Sequence, residues 1–275
     1  MTPTQSYLQH CQHILQTVGS QEEKINTAAR WFADSILAGR MVHVFGSGHS
    51  RIMVEEMWPR YGSFPGFNPI VELSLTFHNL VVGANGQRQA MFLENVPGLA
   101  DRILRNFDLS ETDSALIISS SGCNVVPIEM AELFQKHGIK TVALVTQAHL
   151  DGSTSKRADG KKITDFADLT LDTGAPLGDA MVKVPGLDTP VAPGSTVGGA
   201  MLINCLKAET ARLLTEADRP PKVLSAGAVV GAARAVELFE AAYDEHAHRL
   251  AKLYERVGVE SYVSEAKESV PITKT

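Results

Sequence analysis

The chain has 275 residues, 44% of them hydrophobic and 20% charged, with a net charge of −6; this length suits one large globular domain or two small ones, and the acidic balance without a long Lys/Arg run argues against nucleic acid as a main partner. Cys11, Cys123 and Cys205 lie far apart with no CxxC spacing, which excludes a disulfide framework and points to a reducing cytoplasm. The first 20 positions lack the basic start and apolar run of a leader, and no apolar stretch reaches the roughly 18 residues that cross a bilayer, so a cytoplasmic location without a membrane partner is expected.

Positions 6–37 carry Ile25, Ala28, Ala29, Phe32, Ile36 and Leu37 at helical spacing, interrupted at Gly19-Ser20, and two helices are predicted. Ser20 with Glu23 three residues later has the form of a capping box for the second. A strand over 41–45 runs into Gly46-Ser47-Gly48-His49-Ser50, and a helix over 51–58 stops before Pro59. Positions 61–68 read as a shaped loop, 69–73 as a short strand, 77–90 as neither period, and 97–106 as a helix. Alternation is then regular: strand 115–118, helix 126–137 closed by Gly138, strand 141–145, polar loop 148–162 and strand 167–172. Positions 174–199 hold four prolines and six glycines, which marks an irregular connection around a short strand at 180–184. A long helix over 197–215 follows, ended by Arg219-Pro220-Pro221, then a helix over 233–257 and a polar tail, 264–275, expected to be mobile. Strands alternating with helices predict an α/β fold, a doubly wound parallel sheet with helices on both faces in three layers. Nothing splits the chain, so a single domain with its core over about 33–221 is expected.

Three turns carry the chemistry. Gly46-Ser47-Gly48-His49-Ser50 follows a strand, but Arg51 stands where a dinucleotide fingerprint needs its third glycine, and no Gly-Lys-Ser/Thr makes it a P-loop. It is either a turn that needs glycine or a set of N–H and hydroxyl donors aimed at an oxyanion. Ser119-Ser120-Ser121-Gly122, with Asn124 after it, also follows a strand. One serine suffices for an N-cap, so three at the carboxyl end of a parallel strand point to phosphate or sugar recognition. Gly194-Ser195-Thr196 opens the long helix and either caps it or meets a ligand oxygen. Cys123 has no basic neighbour in sequence and reads as an inert thiol. His43 sits inside a strand, His137 before a helix-ending glycine, and His10 with His13 has no third ligand nearby. No metal and no redox cofactor are expected.

The order strand–GSGHS–helix–EE, strand–SSSG–N–helix, then PGST before a long helix resembles the sugar isomerase (SIS) domain family, over about 33–221. The similarity is closest to its phosphoheptose-isomerase-like proteins, through Phe45–Ser50, Val126-Pro127-Ile128-Glu129-Met130-Ala131 and Gly174-Ala175-Pro176-Leu177-Gly178-Asp179-Ala180. The resemblance implies a flavodoxin-like sheet with extra terminal helices and a homodimer or homotetramer with shared active sites. It implies a sugar-phosphate ligand, handled by an aldose–ketose isomerase, by a lyase such as the N-acetylmuramic acid 6-phosphate etherases, or by a regulatory module that binds without reaction. The etherases carry a Thr-Ser-Gly-Arg-like first loop; here it reads Gly48-His49-Ser50-Arg51.

Isomerisation through an enediol needs a base between C1 and C2 and an acid among the oxygens, which carboxylate and imidazole supply. On a helical wheel Ser50, Met53, Val54 and Met57 form one face, with Glu55 and Glu56 flanking it on opposite sides. The resemblance makes Glu56 the candidate base with Glu55 next, and the alternative is two solvated carboxylates. It likewise suggests a late-helix histidine, His246, as ring-opening acid/base, with His248 facing another way. His49 is a candidate for a sugar hydroxyl, and His78 for either the cleft or simple packing.

Overall fold

Five apolar runs pair edge to edge in the computed structural model, which describes residues 1–76 and 86–255. The strands are β1 Val42–Gly46, β2 Phe67–Ile70, β3 Ser114–Ile118, β4 Lys140–Val145 and β5 Leu169–Asp172, in the spatial order β2-β1-β3-β4-β5. All four pairings are parallel, with Val44 beside Pro69 and Leu116, Leu116 beside Val142, and Leu144 beside Leu171. This is the doubly wound 2-1-3-4-5 order, whose switch point lies between β1 and β3. The turns after those two strands therefore open on one crevice. A separate antiparallel ribbon, β6 Ala180–Val182 with β7 Val191–Pro193, occupies the Pro/Gly-rich connection.

The helices are α1 Pro3–Gly19, α2 Glu22–Leu37, α3 Arg51–Met57, α4 Gln87–Leu93, α5 Leu99–Leu104, α6 Val125–Lys136, α7 Gln147–Gly152, α8 Ser195–Glu216, α9 Gly227–Val230 and α10 Ala232–Tyr254. Every residue of β3 is buried, and its alternating side chains feed two cores, as the period of two in a strand requires. Leu116 and Ile118 join Phe32 of α2, Met53 and Val54 of α3, and Leu202, Ile203 and Leu206 of α8. Ala115 and Ile117 face Ile103 of α5 and Val126, Met130 and Phe134 of α6. The result is the three-layer α/β arrangement. Gly198 lets α8 lie hard against the end of β5, because a Cβ there would stand 1.9 Å from the Thr173 carbonyl oxygen. No helix among the described residues is long and apolar enough to cross a membrane.

Three local expectations are corrected. Ser20 does not cap α2; its hydroxyl donates to Thr17 O at 2.8 Å and closes α1. The residue before α2 is Gln21, whose amide donates to Asp172 O (2.8 Å) and accepts the Asp172 N–H (2.7 Å), tying α2 to β5. The polar stretch 148–162 begins in α7, and the aperiodic 77–90 ends in α4. His78 and the tail 264–275 lie outside the described residues.

At the amino end of the sheet Arg40 donates to both Asp113 carboxylate oxygens at 2.8 Å. His43 Nε2 stands 3.2 Å from the same carboxylate, Asn68 meets its Nδ1 at 3.0 Å, and its ring stacks on Phe134. His43 thus belongs to a buried network at the end away from the crevice.

Candidate active site

The turns after β1 and β3 and the start of α8 line one cavity of about 540 Å³. The first turn contributes Ser47, Gly48, His49 and Ser50, the second Ser119, Ser120, Ser121 and Asn124, and the third Ser195 and Thr196. Gly46 and Gly122 shape the turns without lining it. Gly122 has φ +60, and a Cβ there would fall 2.6 Å from Leu150 Cδ1 and 2.8 Å from Ile163 Cγ2, so the second turn requires glycine on both counts.

The serine hydroxyls after β3 are partly engaged by the turn itself. Ser119 Oγ accepts the Gly122 N–H at 3.2 Å and Ser121 Oγ accepts the Cys123 N–H at 3.3 Å. Ser120 Oγ donates to Thr146 Oγ1 at 3.1 Å, and Thr146 bonds Thr173 Oγ1 at 2.7 Å. Accepting leaves the protons of Ser119 and Ser121 available to donate. The N–H groups of Ser120 and Ser121 make no hydrogen bond to a described residue, and Asn124 leads into α6 without a side-chain cap. Hydroxyls and amides converging where α6 begins make an anion cradle.

The third turn is arranged differently. Asp179, at φ +69, accepts the N–H groups of Gly194 (3.0 Å) and Ser195 (2.6 Å) on one oxygen and the Ser195 hydroxyl (2.8 Å) on the other. A protein carboxylate already fills the start of α8, which leaves Thr196 as the hydroxyl this turn presents to the cavity.

A second carboxylate in the cavity was not singled out by any sequence pattern. Glu94 follows α4, accepts the Ser47 hydroxyl at 2.7 Å, and offers its main-chain carbonyl to the Val126 N–H at 2.9 Å. Burial raises its pKa above the ordinary carboxylate value, against the opposing pull of Ser47, Lys156 and Asn124. A half-buried carboxyl moved toward neutrality is suited to taking up and returning a proton.

Glu56, Glu55 and His246 lie outside this cavity. Glu56 accepts Asn204 Nδ2 at 2.8 Å, pairs with Arg60, and stands 3.9 Å from Lys207 Nζ, which also donates to the Glu56 main-chain carbonyl at 2.8 Å. Burial pushes the Glu56 pKa up, but these donors outweigh it and the net shift is downward. Glu55 is exposed and paired with Arg51. Both line a shallow groove beside Tyr61, Phe239 and Tyr243. Helical pitch carries Glu55 about 160° round α3 from the cavity-lining Met53, whereas Glu56 is only about 60° from it and is held by Asn204 and Lys207 of α8. His246 packs on Trp58, ring centroids 5.1 Å apart, and burial, helped by Arg249, lowers its pKa. His248 lines another groove, next to Lys252 and Arg219. Cys123 lines the cavity as a thiol that burial pushes up.

A family model described as the SIS domain matches residues 6–146. A UPF0309 protein of Halalkalibacterium halodurans is 32% identical over 233 residues, covering 83% of this chain and 94% of the relative. One from Geobacillus kaustophilus is 28% identical over 249 residues, covering 90% and 92%. Among solved structures, a phosphoheptose isomerase from Francisella tularensis aligns with a TM-score of 0.47 at 13% identity, over 76% of this chain and 96% of that one. The Vibrio vulnificus NanR protein, complexed with ManNAc-6P, aligns at 0.41 and 17%, over 75% and 61%.

Proposed function

Because this chain belongs to the SIS domain family, we propose that its cavity binds a sugar phosphate and interconverts the aldose and ketose forms through an enediol, with Glu94 as the base. The single observation that carries the proposal is Glu94 itself: a carboxylate with a raised pKa, hydrogen-bonded to one Ser/Gly turn and lining the same cavity as the other.

The hydroxyls of Ser119 and Ser121 and the free amides of Ser120 and Ser121 receive the phosphate, and Ser50 and Thr196 face the sugar oxygens. Glu94 takes the proton from C2; the C–H pair becomes the C1–C2 double bond and the C1 carbonyl pair moves onto O1. The O2 proton passes to O1, the C2 carbonyl forms, and Glu94 returns its proton to C1. Atoms and charge balance without an external oxidant or reductant. Ser47 keeps the carboxylate aimed and partly stabilised, while burial keeps it basic. In this assignment the base is Glu94 rather than Glu56 or Glu55, whose carboxylates are held by Asn204, Arg60 and Arg51.

The test is a thermal-shift screen against sugar phosphates, followed by deuterium exchange at C2 for each compound that binds. Exchange and isomer formation support the isomerase. Binding without exchange makes the chain a regulatory module, and loss of a C3 substituent makes it a lyase.

A further inference from the structure

The loop from Ser153 to Ile163 carries four cations, and three are committed. Arg157 pairs with Glu132 at 2.7 Å and lies over the Phe166 ring, Lys161 stands over the same ring, and Lys162 Nζ donates to Leu150 O. Among the described residues the Lys156 ammonium has neither an ion pair nor a hydrogen bond, yet Lys156 lines the cavity. Its backbone is fixed there: the Lys156 N–H donates to Cys123 O at 2.9 Å, and seven residues later the Ile163 N–H donates to Gly122 O at 3.0 Å. Both acceptors belong to the turn after β3. The loop is thus pinned to the anion cradle at two points, and the side chain it delivers is a point charge lining the same cavity as Glu94 and Cys123.

Of the other ionisable groups of the cavity, Asp179 is bound by the start of α8, His49 meets Gln87 and Cys123 is a buried thiol, while the His149 Nδ1 is buried without a hydrogen-bond partner among the described residues. A cation beside a basic carboxylate is what proton removal next to a carbonyl requires, because the charge that leaves carbon arrives on oxygen.

We propose that Lys156 is a catalytic electrophile of this site, its ammonium holding the carbonyl oxygen of the bound sugar phosphate and stabilising the enediolate formed when Glu94 removes the adjacent proton. This rests on the isomerase assignment above. The C2–H pair becomes the C1–C2 double bond and the C1 carbonyl pair moves onto O1, against the ammonium; the proton is on Glu94, and Lys156 is charged before and after the step. The phosphate stays with the turn after β3, so Lys156 acts on kcat more than on affinity.

The experiment compares wild type, Lys156→Met and Lys156→Arg in three measurements: C2 exchange on a sugar phosphate that binds, affinity for inorganic phosphate, and the titration of Glu94 followed by carbon-13 NMR with Glu94→Gln as the assignment control. For Lys156→Met the expected result is an exchange rate down about 100-fold with phosphate affinity within about threefold of wild type. The Glu94 titration moves up in Lys156→Met and is restored in Lys156→Arg. Exchange unchanged in Lys156→Met overturns the proposal. So does a phosphate affinity that falls by the same factor as the rate, which makes Lys156 an anion anchor. A Glu94 titration that ignores the substitution overturns it as well. A wild type that binds sugar phosphate without exchange overturns the isomerase assignment itself, and the catalytic role of Lys156 with it. The exposed ammonium bonds to no described residue, so Lys156→Met is expected to melt with wild type, and an unchanged melting temperature excludes misfolding.

Discussion

Ser47 donates its hydroxyl to Glu94 across 2.7 Å, joining the turn after β1 to the residue that ends α4. Two segments 47 positions apart in the chain are locked together by one charge-assisted hydrogen bond at the cavity wall.

Ser47→Ala removes a donor that favours the charged carboxylate, so the Glu94 pKa, already raised by burial, rises further. Glu94 must be ionised to take a proton. The acid limb of kcat/KM therefore moves to higher pH, lowering the rate about tenfold below the new midpoint and leaving it nearly unchanged well above. A pH profile of C2 exchange reads this directly, and an acid limb that stays in place contradicts it.

Gly198→Ala places a methyl where α8 meets the Thr173 carbonyl, 1.9 Å away. Backbone lies on both sides and nothing flexible can give, so a loss of about 3 kcal/mol is expected. Gly19→Ala is the control: a Cβ there meets nothing within 4 Å, and a change of less than about 1 kcal/mol in the stabilising direction is expected. Denaturant titration of both variants checks the pair.

Asp113, fully buried between Arg40 and His43, has a pKa of about 2. Burial opposes ionisation, but the His43 and Arg40 bonds and the Ser110 N–H outweigh it. A carboxylate depressed on folding contributes stability that is fully present above its unfolded pKa near 4 and is lost as pH falls through its folded value. Its contribution at neutral pH is about 2 kcal/mol. Asp113→Asn leaves Arg40 without its buried counterion and is expected to cost about 3 kcal/mol. It is also expected to flatten the decline in stability between roughly pH 4 and pH 2. Urea melts at several pH values measure both, and an equal slope in wild type and variant would rule out the pair as the cause.

Much of the fold was legible because its signals are local. The β1, β3 and β4 runs are short, apolar and bounded by turn residues, and Gly138 and Arg219-Pro220-Pro221 end helices by backbone chemistry that sequence displays. The Ser/Gly turns were legible for the same reason, and the 2-1-3-4-5 order places both on one crevice. Glu94 was not legible. It follows a seven-residue helix with no clear period, and its environment comes from Ser47, Asn124 and Lys156, which reach it from three other segments. Glu56 drew attention as half of a Glu-Glu pair, but adjacent helical residues point about 100° apart. Its surroundings are set by Asn204 and Lys207, some 150 positions away. Asp179 is the same case: one aspartate in a Pro/Gly-rich stretch gives no sign that it will bind the start of α8.

Replacing Glu94 and Glu56 in turn with glutamine, and following C2 deuterium exchange on a sugar phosphate that the wild type binds, tests the assignment of the base most directly. Glu94→Gln is expected to lower exchange about 1,000-fold while still binding the compound. Glu56→Gln is expected to lower the melting temperature, because Lys207 loses its carboxylate neighbour, and to leave exchange within about threefold of wild type. The reverse pattern, with exchange lost in Glu56→Gln and retained in Glu94→Gln, would contradict the assignment.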